Sequence, residues 1–141
     1  MNSAEKKSPF TWNGRPVRGL VFDMDGVIVD TWQAHEKAWG LYFNDEGIDR
    51  DPHEFLLKTF GRGEDVNIPY LYGKQVSKEF IREKATKKEK FFRDILKAGE
   101  VPLVKGVREF LEAARERGLP MATGTSAPRE NLDDVLQLYN L

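Results

Sequence analysis

Two aspartates, Asp23 and Asp25, close a short apolar run, Leu20-Val21-Phe22, and Gly26 follows them at once. In an extended chain, residues i and i+2 point to the same side. The pair therefore presents two carboxyl groups at the carboxyl end of what reads as a buried strand, where open α/β sheets take their ligands. Two adjacent carboxylates repel, and a hard divalent cation offsets that repulsion; Mg²⁺ prefers oxygen ligands and keeps several waters. One carboxylate could attack phosphorus as a nucleophile, and the other could serve as general acid and base. An acidic turn that only solvates a loop has the same letters, and the spacing alone leaves both readings open. An EF-hand is excluded, because its twelfth loop position needs a glutamate and Ala34 stands there.

The elements that must position this pair follow from periodicity. Leu20–Phe22 suits a strand, with Gly26 supplying the tight turn after it. From Thr31 the pattern becomes helical through Trp32, His35, Glu36 and Trp39, to an end at Gly47. A second helix is expected over His53–Phe60, stopped by Gly61 and Gly63. The longest runs from Lys78 to Ala98, with Ser77 as N-cap and Gly99 beyond its end. Its apolar stripe reads Ile81, Ala85, Lys88, Phe92, Ile95, so Lys88 interrupts a buried face. Val107, Phe110, Leu111 and Ala114 mark a further amphipathic helix ending at Gly118. Leu119–Thr123 is a second strand that Pro120 confines to a start or edge position. Gly124–Pro128 is a turn, with Pro128 at the first position of a last helix bearing Leu132, Val135, Leu136 and Tyr139. The layout is strand, long helical insertion, helix, strand, helix, which makes an α/β core interrupted by an α-helical lobe. Residues 1–16 read as a flexible tail.

Three more residues bear on chemistry. His35 is either a partly buried helical histidine stacked near Trp39 or a group facing a ligand. Arg62, after Gly61, is either an ordinary loop arginine or an anion contact. Lys88 either snorkels its ammonium to water or points it into a cleft, and its place on the stripe favours the cleft. His35-Glu-Lys-Ala-Trp39 is not a zinc-binding His-Glu-x-x-His, since Trp39 cannot ligate. Gly61-Arg-Gly63 lacks the third glycine of a dinucleotide loop. Gly124-Thr-Ser126-Ala-Pro128 fails as a nucleophile elbow, because its last position is proline and no histidine follows.

Phe22-Asp-Met-Asp-Gly-Val-Ile-Val-Asp-Thr31 closely resembles motif I of the haloacid dehalogenase (HAD) superfamily. Trp32-Gln-Ala-His35-Glu-Lys-Ala-Trp39 resembles the start of the helical cap in its β-phosphoglucomutase-like branch. Phe60–Asp65 and the long helix continue the likeness, and Gly124-Thr125-Ser126-Ala-Pro-Arg-Glu-Asn131 resembles motif II. The resemblance implies a HAD-like Rossmannoid α/β core over residues 17–30 and 101–141, with an inserted α-helical cap over 31–100. It further implies that Asp23 is the nucleophile, with its carboxylate on Mg²⁺, and that Asp25 is the acid/base, with its carbonyl on Mg²⁺. Thr125 would hold the transferring phosphoryl group, helped by the Ser126 N–H; phosphoryl transfer depends on such donors more than on reactive groups. His35 would sit near the hinge, and Arg62 and Lys88 would grip the distal phosphate of a bisphosphorylated sugar.

The implied activity is a Mg²⁺-dependent phosphatase on small phosphorylated metabolites such as sugar phosphates, working through an aspartyl-phosphate. Its alternatives are a β-phosphoglucomutase and a catalytically impaired, phosphate-binding remnant. Nothing among the 141 residues matches the family's motif III lysine or motif IV carboxylate, so the core is expected to be incomplete, with one edge of its central strand bare. Such an edge is open to pairing, and self-association through it is the partner expectation.

Bulk composition narrows the rest. Charged residues make up 32% of the chain and the net charge is −1, without the basic excess of a nucleic-acid module. There is no cysteine and there are only two histidines, which excludes disulfides and makes zinc a poor candidate. No apolar run reaches the roughly 18–20 residues that span a bilayer, and the first residues lack the apolar stretch of a signal peptide. A cytoplasmic protein is expected.

Overall fold

The computed structural model describes residues 10–73 and 75–141. Its functional end is built on two strands. β3 (Leu20–Phe22) pairs in parallel with β4 (Met121–Thr123), in the register Leu20↔Met121, Val21↔Ala122, Phe22↔Thr123. Ahead of them, β1 (Thr11–Trp12) and β2 (Arg15–Pro16) form an antiparallel hairpin, turning through Asn13 and Gly14, both at positive φ. The expectation of a loose tail over residues 1–16 is therefore corrected for Thr11–Pro16, where a turn of the Asn-Gly type brings two short strands together. Residues 1–9 of that tail lie outside the described residues.

After β3 the chain first makes α1 (Trp32–Glu46), α2 (Pro52–Thr59), α3 (Glu64–Tyr72) and α4 (Lys78–Lys97). Two begin where a side chain accepts a free backbone N–H: Asp51 accepts from Glu54 N at 2.8 Å and Ser77 from Phe80 N at 3.1 Å. α1 and α3 end on left-handed Gly47 and Gly73. α3 was not foreseen, since Pro69 lies inside it and argues against a helix when read alone. α5 (Val107–Glu116) and α6 (Arg129–Tyr139) flank β4. Pro128 stands just before α6, as its N-cap, one place earlier than expected.

Two apolar cores result. Trp39, Tyr42, Phe43, Phe55, Leu56, Ile68 and Leu71 pack together inside the helical lobe. Met24, Ile28, Val29, Ala34, Ala38, Phe92, Ile95, Leu96, Val101, Val107, Leu111 and Val135 form the other, shared by the sheet layer, α1, α4, α5 and α6. α4 contributes to the second core and borders the first. Its burial follows the expected stripe, including Lys88, which is only 1% exposed. Among the described residues the β3–β4 sheet has two strands, and Val21 is 76% exposed. No helix among them is long and apolar enough to cross a membrane.

Candidate active site

The register of β3 against β4 builds the site. Because Phe22 faces Thr123, the residues that follow each strand, Asp23-Met-Asp25 and Gly124-Thr-Ser126, leave the sheet side by side. Gly124 N donates to the Phe22 carbonyl at 2.8 Å, and a Cβ at Gly124 would meet Val21 Cγ1 at 3.3 Å, so a side chain there would crowd the junction. After Asp23 the chain folds into a compact turn: Ile28 N donates to the Met24 carbonyl at 2.9 Å and Gly26 N to the Val29 carbonyl at 2.8 Å. Met24 is fully buried and anchors it. Gly26 takes φ +73°, which a side chain would resist.

The two aspartates differ in surroundings. Asp23 is exposed, and its Oδ1 accepts from Met24 N at 2.7 Å. Asp25 Oδ1 accepts from the Thr31 hydroxyl at 2.7 Å and lies 3.1 Å from His35 Nε2. Thr31, fully buried, was noticed in the sequence only as the end of the motif run; nothing marked its hydroxyl as a ligand of Asp25.

His35 and Lys88 continue inward from Asp25. Lys88 Nζ lies 3.0 Å from His35 Nδ1, and an ammonium can only donate. Nδ1 is therefore the acceptor, and Nε2 carries the hydrogen that it donates to Asp25. His35 stacks on Phe92, with ring centroids 4.2 Å apart and planes at 7°, rather than against Trp39. Lys88 also meets Glu64 Oε1 at 2.8 Å and Glu89 Oε1 at 2.9 Å, so its three N–H bonds face three protein acceptors. It neither snorkels to water nor presents a free ammonium to the cleft.

Burial and charge set the protonation states. Burial pushes the Asp25 carboxyl up, but the His35 and Thr31 hydrogen bonds outweigh it and hold the group below the usual carboxylate range. Burial, joined by the charge of Lys88, pushes His35 down against the pull of Asp25, so the ring is neutral at pH 7. Burial raises Glu64. Glu89 is pushed the same way by burial but is held low by Lys88 and Asn131. Two carboxyls around one ammonium thus shift in opposite directions, Glu64 up and Glu89 down, and Glu64 Oε2 is buried without a hydrogen-bond partner among the described residues.

These groups meet in one cleft of about 370 Å³ between the lobe and the strand ends, lined by Asp23, Asp25, His35, Arg62, Lys88 and Ser126, among others. Six of the seven residues singled out from sequence share it. Thr125 does not line it; its Oγ1 accepts from Ala127 N at 3.1 Å and keeps its own hydroxyl hydrogen to donate. Glu64, Glu89 and Asn131 also line the cleft and were missed. A charged residue beside an intrusive lysine on an apolar stripe, as Glu89 is, was the available signal. For a cation, the Asp23 carboxylate and the Asp25 carbonyl are hard oxygen donors of the kind Mg²⁺ takes. Among the described residues no group of three His, Asp or Glu side chains converges as a metal site, so these two would be part of a coordination sphere.

The chain as a whole resembles known proteins. The chain is 28% identical over 125 residues to Protein CbbY of Rhodobacter capsulatus, spanning 85% of this chain and 55% of that one. It is 27% identical over 128 residues to Hexitol phosphatase B of Escherichia coli K12, spanning 90% and 57%. Its fold superposes on a HAD hydrolase, family IA, variant 3, from Entamoeba histolytica with TM-score 0.76 and 25% identity, over 89% of this chain and 56% of the other. The chain thus spans about half the length of the relatives it matches. Residues 20–141 match the family model described as haloacid dehalogenase-like hydrolase, and the chain belongs to that family.

Proposed function

We propose that these residues are the nucleophile, the acid/base and the phosphate cradle of a Mg²⁺-dependent phosphatase acting on small phosphorylated metabolites, sugar phosphates foremost. The observation that carries this reading is the parallel register of β3 and β4, which sets Asp23 beside the Gly124-Thr125-Ser126 turn while Thr31 and His35 hold Asp25 in the same cleft. The names of the hexitol phosphatase and its kin point the same way.

Asp23, exposed at the strand end, attacks the phosphorus atom; the phosphorus–oxygen bond to the leaving alcohol breaks and an aspartyl-phosphate forms. Thr125 and the Ser126 N–H hold the equatorial oxygens. Asp25 rests as a carboxylate, the form that takes a proton from the water that later attacks the aspartyl-phosphate. For the first half of the reaction it must carry a proton to the leaving oxygen. The arrival of a phosphate dianion nearby shifts its pKa upward, towards that form. Mg²⁺, held by the Asp23 carboxylate and the Asp25 carbonyl, would supply positive charge between nucleophile and phosphate. A β-phosphoglucomutase needs Lys88 for a distal phosphate, and the engagement of all three Lys88 donors favours the hydrolase.

The test is turnover of p-nitrophenyl phosphate with Mg²⁺, compared with the Asp23→Asn variant. Asp23→Asn is expected to abolish turnover, because it removes the attacking carboxylate. Undiminished turnover by that variant would rule the nucleophile assignment out.

A further inference from the structure

The helical lobe meets the sheet layer at a buried polar junction. Glu89, on α4, and Asn131, in the first turn of α6, are both buried. Asn131 Nδ2 donates to Glu89 Oε2 at 2.5 Å, and its Oδ1 accepts from Arg93 Nη1 at 3.1 Å. Further along the same two helices, Lys97 meets Asp134 at 2.9 Å, but the lysine is more than half exposed and screening leaves that pair weak. The Glu89–Asn131 bond is charge-assisted and shielded from water, so it is the stronger of these two polar ties between the helices.

Its position matters as much as its strength. Asn131 lies six residues beyond Thr125, on the helix that grows out of the phosphate-cradle turn. Glu89 uses its other oxygen on Lys88, Lys88 donates to His35, and His35 donates to Asp25. A continuous path of hydrogen bonds therefore leaves the sheet layer at Asn131, runs through the lobe and returns to it at Asp25. Swinging the lobe away from the strand ends pulls α4 off α6 and breaks that path at Asn131.

We propose that Asn131 is a positioning residue: by holding Glu89 it latches the helical lobe over the cleft and keeps Lys88 and His35 aligned behind Asp25. A shut lobe excludes water from a phosphorylated nucleophile until the alcohol has left. The consequence for catalysis rests on the phosphatase reading, whereas the latch itself is a statement about geometry.

The chain has no cysteine, so a pair of spin labels reads the latch without any turnover. Lys58→Cys on α2 and Glu112→Cys on α5, both exposed, report lobe-to-core separation in the full 141-residue protein. The parent should give one narrow distance. Asn131→Asp sets a second carboxylate against Glu89 and should add a longer, broader population. Exchanging donor and acceptor across the same contact, Glu89→Gln with Asn131→Asp, should restore the narrow distance, while Asp134→Asn leaves it unchanged. Asn131→Ala, which removes the donor without adding charge, is read the same way should Asn131→Asp fail to fold.

A folded Asn131 variant whose distance distribution matches the parent overturns the proposal, as does a folded exchange variant that stays open. With p-nitrophenyl phosphate and Mg²⁺, Asn131→Asp should lower kcat by about 10-fold or more with a smaller change in KM, since misplacing a catalytic group acts on the chemical step. Distances that respond as described while no variant, parent included, shows turnover support the latch and count against the phosphatase reading alone.

Discussion

In the helical lobe Trp39, Tyr42, Phe43, Phe55, Leu56, Ile68 and Leu71 close on one another from three helices, none more than 6% exposed, whereas in the sheet layer Val21, at the centre of β3, is 76% exposed. The contrast comes from where each element finds its hydrogen bonds. A helix satisfies its own backbone and needs neighbours only for one apolar face. A strand depends on the chains beside it for half its polar groups and on layers above and below for its side chains. Within residues 20–141 the lobe is therefore a finished core. The sheet layer is finished only on the face that α1, α4, α5 and α6 cover. The chemistry sits on the less finished of the two.

Cutting into the lobe core is the hardest test of that difference. Trp39→Ala removes a ring that contacts Tyr42, Phe43 and Phe55, at centroid separations of 5.4, 5.6 and 4.7 Å. A cost of about 3–5 kcal/mol is expected in urea unfolding, and a loss under about 1 kcal/mol would mean the lobe is not the stable half. A smaller effect is expected at the lobe's polar rim. Glu46 accepts from Lys84 at 2.7 Å, from Lys87 at 2.5 Å and from Tyr72 at 3.2 Å. Burial pushes its carboxyl up, but the two lysines outweigh that and bring it to about 2 from an ordinary 4.5.

A folded pKa below the unfolded one stabilises above the unfolded value and is lost as pH falls through the folded one. Glu46→Gln should therefore cost about 1 kcal/mol at pH 7, limited by solvent screening of the lysines. The gap between variant and parent should shrink from pH 4.5 downward and close near pH 2. A pH-independent gap in urea midpoints would mean that packing, not charge, holds this rim. Smallest of all is the expected effect at the bare strand: Val21→Thr should change stability by no more than about 0.5 kcal/mol. A larger loss would show that β3 is covered in solution.

The fold was legible where local rules act alone. Leu20–Phe22, the Ser77 cap and the stripe of α4 follow from apolar runs, capping and periodicity, and all appear where these put them. α3 was hidden because Pro69 outweighs its neighbours in any local reading, while the structure tolerates it through the packing of Ile68 and Leu71. The hairpin at Thr11–Pro16 was lost among charged and polar residues that look like a tail. In the site, Asp23 and Asp25 were visible as a spacing. Asp25's partners Thr31 and His35, and the network of Lys88, Glu64, Glu89 and Asn131 behind them, come from the start of α1 and from α3, α4 and α6, and no periodicity links residue 25 to 88 or 89 to 131. Only tertiary structure brings them together.

The three acceptors around Lys88 have one more consequence. Glu64 Oε1 occupies the ammonium at 2.8 Å from within the same chain, so it acts as a built-in competitor for any anion that enters the cleft. A tethered carboxyl oxygen competes at an effective concentration that no dilute metabolite matches. An anion wins the lysine only by displacing Glu64, and a neutral hydroxyl has no reason to try. On the proposed phosphatase reading, a substrate tail at Lys88 is expected to be uncharged, with Glu64 setting the threshold.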